Sequence, residues 1–125
     1  MKIACLGDLH FGIRNDTPQF FDNSMKFLNE VFFPYCQKNE ITTIIQMGDL
    51  MDRRKYTNKL TMYRTRKEFI DSLKGYDYIQ ILGNHDIFYK SVLDVSATIE
   101  LLKGRENIKI IDVPQTITFD GVPIM

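Results

Sequence analysis

Short apolar runs alternate with helical repeats along this chain. Runs rich in β-branched residues, each closed by a polar turn, predict strands over residues 2–7, 41–47, 76–82 and 107–113. Between them, apolar positions at helical spacing predict helices over residues 17–35, 57–73 and 96–103. Two last short runs flank Asp120-Gly121, which is typical of a β-hairpin. This order predicts an α/β fold with a parallel sheet that finishes in an antiparallel hairpin.

The same pattern predicts which side chains face the core. The first helix begins at Thr17-Pro18, and Pro34 is expected to kink or end its last turn. We expect its apolar stripe to be core and not a surface for stacking bases: Phe20, Phe27, Val31 and Tyr35. The second helix is expected to bury Leu60, Tyr63, Phe69, Ile70 and Leu73. Two cysteines cannot form a disulfide scaffold, so Cys5 and Cys36 are expected to be small buried hydrophobes.

Composition narrows the class of protein. The 125 residues correspond to about one domain, and 44% hydrophobic with 26% charged residues is typical of a globular protein. Sixteen basic and sixteen acidic residues cancel, which argues against a uniformly basic protein that coats nucleic acid. No apolar run approaches the roughly 18 residues of a membrane helix, and the N-terminal run is too short for a signal peptide. We therefore expect a cytoplasmic protein with no membrane partner.

Polar residues follow three of the predicted strands. The three segments are Gly7-Asp8-Leu9-His10, Gly48-Asp49-Leu50-Met51-Asp52 and Gly83-Asn84-His85-Asp86. Taken singly, such residues are more often caps, turn residues or surface side chains. Sites of parallel sheets form at the carboxyl ends of the strands, so neighbouring strands would bring these segments together. The set expected to converge on one rim comprises Asp8, His10, Asp49, Asn84 and His85.

This set of side chains points to metal chemistry. Carboxylate, imidazole and amide oxygen suit Mn²⁺, Fe²⁺ or Zn²⁺ better than a thiolate site or an all-oxygen Ca²⁺ site. Two such ions a few ångströms apart can clamp a phosphate and activate a bridging water, and a shared carboxylate such as Asp49 would hold that spacing. Asp86 has two equal interpretations, as a cap of the next segment or as a residue that orients a neighbour.

A basic run follows the second of these segments. It comprises Arg53, Arg54, Lys55, Lys59, Arg64, Arg66 and Lys67, with no acidic residue between them. Such a run is either a phosphate-contacting patch or a solvated helix face. We expect substrate phosphate contacts from Arg53 and Arg54, which directly follow Asp52, and solvent exposure for most of the others.

The three segments carry the patterns D-x-H, G-D-x-x-D and G-N-H-[DE] in the order that resembles the calcineurin-like metallophosphoesterase superfamily. The chain resembles in particular its SbcD-type DNA exonuclease subunits and their phage members, the small subunits of T-even recombination endonucleases. The segments that carry this likeness are residues 7–12, 46–52 and 83–90, with Asp112-Val113-Pro114 and Phe119-Asp120-Gly121 near the end. The resemblance covers essentially the whole chain.

The resemblance implies a role for each candidate residue. Asp8 and His10 would bind one metal, Asp49 would bridge, and Asn84 would bind the second. His85 would be catalytic, lying near the scissile phosphate, and Asp52 would pair with it and orient it. The two divalent ions would be Mn²⁺ in the first place, with Mg²⁺, Fe²⁺ or Zn²⁺ as alternatives. A bridging hydroxide would then attack phosphorus.

The resemblance also implies the rest of the assembly. It implies a β-sandwich flanked by helices, DNA as substrate, an SMC-like ATPase partner of the SbcC type and a homodimer. The expected function is metal-dependent hydrolysis of DNA in recombination and repair, in the host cytoplasm if the protein is phage-encoded.

One departure from the family pattern leaves alternatives open. The family carries further metal-binding histidines downstream, whereas this chain has none after His85. We expect residues 1–125 to be the N-terminal part of a longer nuclease domain, with the first half of the sandwich and no second domain. The alternatives are a degenerate, non-catalytic binding module and a stand-alone enzyme acting on nucleotides or phosphoproteins. The stand-alone enzyme is less favoured, because protein phosphatases of this superfamily usually carry Asp-Arg-Gly where this chain has Asp52-Arg53-Arg54.

Overall fold

A computed structural model describes residues 1–52, 58–83 and 97–125. Four parallel strands form a sheet in the order β1-β2-β3-β4: β1 Ile3–Leu6, β2 Thr43–Gln46, β3 Asp77–Ile81 and β4 Ile108–Ile111. Two further strands, β5 Ile117–Phe119 and β6 Val122–Ile124, form an antiparallel hairpin. The predicted α/β fold with a parallel sheet and a final hairpin is confirmed.

Helices connect the parallel strands. They are α1 Ile13–Asp16, α2 Pro18–Phe27, α3 Phe33–Lys38, α4 Lys59–Arg64 and α5 Ala97–Leu102. A π-helical stretch, Leu28–Phe32, joins α2 to α3, and α4 continues through Thr65–Phe69 and Ile70–Leu73. Pro34 does not end the first helix, which continues through α3, but the π-helical stretch Leu28–Phe32 interrupts the α-helical pattern just before it. Among the described residues, no helix is long and apolar enough to cross a membrane.

The core lies between the helices and one face of the sheet. Its centre is an aromatic cluster in which the Phe11 ring centroid is 4.8 Å from that of Phe21 and 5.4 Å from that of Phe69. The Phe69 ring in turn meets Tyr78 of β3 at 6.1 Å. The predicted burial of Phe69, Ile70 and Leu73 is confirmed. Phe11 lies in the segment that leaves β1, so this cluster connects that segment to the helices.

The predicted apolar stripe of the first helix is not core. Phe20, Phe27, Val31 and Tyr35 are 43%, 48%, 55% and 61% exposed. The helical segment 18–38 has a second apolar side, and that side faces the sheet with Phe21, Met25, Leu28, Phe33 and Cys36. Helical spacing predicts two apolar sides equally well, so the choice between them depends on the packing.

The predictions for α4 and Cys5 need similar corrections. Leu60 and Tyr63 are exposed, because the smaller Thr61 of α4 and Thr65 of the stretch that follows it face inward. Cys5 is exposed, since it lies on the edge strand β1 and on the opposite face from Leu6. Cys36 is buried as predicted, and burial raises the pKa of its thiol.

Two adjacent phenylalanines provide a test of this packing. Phe21→Ala should lower the free energy of unfolding by about 3–5 kcal/mol, because it empties a site in the aromatic cluster. The matched control Phe20→Ala removes the same side chain one residue away and should cost less than about 1 kcal/mol. Urea denaturation of both variants measures the difference. Equal losses would contradict the assignment of the buried side.

Candidate metal centre

The chain segments that leave β1 and β2 stay paired beyond the ends of the two strands. Three amides of the first segment donate to carbonyls of the second: Asp8 to Gly48 (3.3 Å), His10 to Asp49 (3.0 Å) and Phe11 to Leu50 (2.9 Å). The pairing ends in a parallel bridge between Phe11 and Met51. The first two predicted motifs are therefore fixed side by side through their backbones.

The backbone at the candidate ligands is left-handed. Asp8, His10 and Asp49 have φ angles of 48°, 45° and 53°. This conformation costs a residue other than glycine about 1–2 kcal/mol, although aspartate adopts it more readily than most. Such residues persist where the surrounding structure holds them, and they concentrate at functional sites. Here the paired segments after β1 and β2 hold all three.

The segment after β3 packs closely against the turn that carries Asp49. A Cβ atom placed on Gly83 would lie 2.6 Å from the Asp49 amide nitrogen, and one placed on Gly48 would lie 3.0 Å from the Gly83 Cα. Only glycine fits at such distances, so backbone lies directly against backbone. The end of the third strand thus adjoins the end of the second, as predicted from neighbouring parallel strands.

Three of the predicted metal ligands converge at this edge of the sheet. His10 Nε2 lies 3.6 Å from Asp8 Oδ1 and 4.0 Å from Asp49 Oδ2. One ligand atom from each residue lies within 4.8 Å of the other two. The Asp8 side chain is 75% exposed, so the cluster opens to solvent. Two carboxylates and an imidazole with converging lone pairs are a donor set that fits Mn²⁺, Fe²⁺ or Zn²⁺.

Asp52 lies beside His10. Its Oδ1 is 3.2 Å from His10 Nδ1, on the opposite side of the ring from the nitrogen that faces Asp8 and Asp49. Histidines that bind metals commonly hold their other ring nitrogen against a carboxylate, which fixes the orientation of the ring. Residue spacing does not predict this contact, because it depends on the bridge between Phe11 and Met51. The expected pairing of Asp52 with His85 stays a prediction.

Several predicted site residues lie outside the described residues. They are the substrate-contact candidates Arg53 and Arg54, the ligand candidate Asn84, the catalytic candidate His85, and Asp86. Their predicted roles remain predictions. In the chain, the two arginines follow Asp52 directly, and residues 84–86 follow Gly83 directly.

One member of the basic run has a structural role. The Arg64 guanidinium donates to Glu68 at 2.5 Å and to Asp22 at 2.6 Å, and lies 4.2 Å from the centroid of the Phe21 ring. The hydrogen bond to Glu68 is the largest cause of a raised pKa at Arg64. These contacts join α4 to α2 and to the following helical turn. The exposed members on this stretch are Lys59, Arg66 and Lys67, as expected for a solvated helix face.

Comparisons with known proteins agree with this geometry. Residues 1–124 match the family model of the calcineurin-like phosphoesterases, a family whose proteins bind divalent metals. Over 123 residues the chain is 39% identical to exonuclease subunit 1 of Enterobacteria phage T4, covering 97% of this chain and 36% of that protein. The chain thus spans about a third of the length of this relative.

A solved structure shares the fold. The crystal structure of Pseudomonas putida nuclease MPE superposes with a TM-score of 0.61 and 17% identity, covering 92% of this chain and 50% of that one. The likeness at this identity concerns the fold alone. With the family match over nearly the whole chain, it follows that this protein belongs to the calcineurin-like phosphoesterase family.

Proposed function

We propose that this chain is the N-terminal part of a metal-dependent nuclease domain that hydrolyses phosphodiester bonds of DNA in recombination and repair. The observation that carries the proposal is the convergence of Asp8, His10 and Asp49 at one end of the parallel sheet. Membership of a phosphoesterase family and identity to a phage exonuclease subunit support DNA as the substrate class.

The proposed centre holds two divalent ions. Asp8 and His10 would bind the first, Asn84 the second, and Asp49 would be shared between them, with Mn²⁺ preferred over Mg²⁺, Fe²⁺ or Zn²⁺. When bound, the ions would offset the charge on the phosphate and activate water for attack on phosphorus. Asp52 Oδ1 lies 3.2 Å from His10 Nδ1, and this contact would orient the ring so that Nε2 faces the cluster. His85 would stabilise the developing charge or protonate the leaving oxygen.

The proposed DNA contacts begin at the edge of this centre. Asp52 lies against His10, and Arg53 and Arg54 are the next two residues of the chain. Two guanidinium groups at this point would contact phosphates of a strand whose scissile bond lies at the cluster. The open side of the cluster, where Asp8 is exposed, would admit that strand.

The proposed partners follow from the relative and from the exposed stripe. The relative is named a subunit, which supports a complex with a second protein. We place an SMC-like ATPase of the SbcC type in that role, and the host cytoplasm as the location. For a homodimer, the support is the stripe of Phe20, Phe27, Val31 and Tyr35, whose spacing of seven, four and four residues places it on one side of segment 18–38. Apolar surfaces of this kind commonly mark protein interfaces.

Substitutions at Asp49 and His85 should separate metal binding from catalysis. Asp49→Asn should weaken Mn²⁺ binding at least about tenfold and abolish Mn²⁺-dependent cleavage of duplex DNA, because it removes the shared carboxylate. His85→Ala should abolish cleavage with Mn²⁺ binding close to that of the unmodified protein. Titration calorimetry and a nuclease assay on the natural gene product measure the two effects.

The control for these variants is Asp112→Asn, which removes an exposed carboxylate just beyond β4 and should change neither property. Full cleavage activity in Asp49→Asn would refute the proposed centre. Faster hydrolysis of small phosphodiesters than of DNA would favour the stand-alone phosphoesterase, and no Mn²⁺ binding would favour the binding module.

The exposed stripe predicts a specific effect on self-association. Val31→Glu should dissociate a dimer into monomers, because it places a charge in the middle of the apolar surface. The control Asn29→Glu adds the same charge to an exposed position of the same helix outside the stripe. Sedimentation velocity reports the mass of both variants. A dimer that survives Val31→Glu unchanged would rule out this surface as the interface.

A further inference from the structure

A chain of buried hydrogen bonds adjoins the candidate metal centre at the carboxyl ends of β2 and β3. Tyr78, Gln80 and Gln46 are no more than 1% exposed. The Tyr78 hydroxyl donates to Gln80 Oε1 at 2.9 Å, and Gln80 Nε2 donates to Gln46 Oε1 at 3.0 Å. Gln46 and Gln80 are register partners at the carboxyl ends of β2 and β3. These three side chains therefore connect the two strands whose ends meet at the site.

Both amides also hold the backbone where the strands end. Gln46 Oε1 accepts a hydrogen bond from the Gly48 amide at 2.5 Å, one residue before Asp49. Gln80 Nε2 donates to the carbonyl of Ile81 at 2.8 Å, two residues before Gly83. One buried network thus binds both the turn that carries Asp49 and the segment after β3 that packs against that turn. Gly48 has a φ of 113°, a conformation that favours glycine, so the direction of its amide depends on glycine at this position.

Packing alone gives no reason for these amides. Their register partners on the outer strands are apolar: Leu6 of β1 pairs with Gln46, and Ile110 of β4 pairs with Gln80. Moving an amide from water to an apolar interior costs roughly 1–3 kcal/mol unless hydrogen bonds compensate. Within the described part of the chain, Gln46 Nε2 finds no acceptor, so its amide is only half used. An apolar side chain would fill this position without that cost, which indicates a purpose for the oxygen.

We propose that Gln46 is a positioning residue for the metal centre. Its Oε1 fixes the Gly48 amide and with it the left-handed turn that presents Asp49. Gln80 and Tyr78 fix which end of the Gln46 amide faces the turn, since the oxygen receives two donors. This inference rests on the proposed metal function for its consequence, and on the hydrogen bonds alone for its structural part.

The test removes the acceptor and then restores it. Gln46→Met keeps the length of the side chain but has no strong acceptor, so Mn²⁺ affinity should fall about tenfold and exchange of the Gly48 amide hydrogen should accelerate. Gln46→Glu retains an acceptor oxygen and should restore slow exchange, with Mn²⁺ affinity within about threefold of the unmodified chain. Calorimetry and hydrogen exchange by NMR measure the two quantities.

The matched control is Thr65→Val. It also removes a fully buried side-chain hydrogen bond, from Thr65 Oγ1 to the Thr61 carbonyl at 2.7 Å, but within the helices. It should lower the melting temperature and leave Mn²⁺ affinity and Gly48 exchange unchanged. Unchanged affinity and exchange in Gln46→Met, or equal losses in Thr65→Val, would overturn the proposal. If the unmodified chain binds no Mn²⁺, the proposed function fails, and Gly48 exchange still decides whether Gln46 holds the turn.

Discussion

The site depends on the backbone pairing of two chain segments beyond the ends of β1 and β2. Each left-handed aspartate or histidine is unfavourable by about 1–2 kcal/mol, and each hydrogen bond between the segments contributes about 0.5–1.5 kcal/mol. The two effects have the same size, so the pairing can hold the strained backbone at Asp8, His10 and Asp49. Burial of Phe11 and Leu50, which follow His10 and Asp49 in the chain, adds to this stabilisation. The strained backbone at the candidate ligands is thus stabilised by the packing of residues next to them in the chain.

Much of the fold and part of the site follow from the sequence. Short β-branched runs, each followed by glycine and a polar residue, predict parallel strands whose carboxyl ends share an edge. That logic correctly brings Asp8, His10 and Asp49 together. The same pattern does not predict the contact between Asp52 and His10 or the hydrogen bond between Gln46 and Gln80. Both depend on which strands are neighbours and on their register, which residue patterns do not state.

The wrong predictions have a common physical origin. Segment 18–38 is apolar on two sides, and helical periodicity gives no preference between Phe20 and Phe21. Cys5 sits in an apolar strand, but on the edge of the sheet and on the face away from the helices. In both cases the elements that pack nearby decide which side chains are buried, and these elements are distant in sequence.

In the proposed metal centre, the ends of β1 and β2 form one cation site. Crystals of the chain grown with MnCl₂ and measured for anomalous scattering of manganese test it most directly. We expect an anomalous peak coordinated by Asp8, His10 and Asp49, with Asp52 still next to Nδ1 of His10. A manganese peak bound elsewhere, with this cluster empty at saturating Mn²⁺, would contradict it.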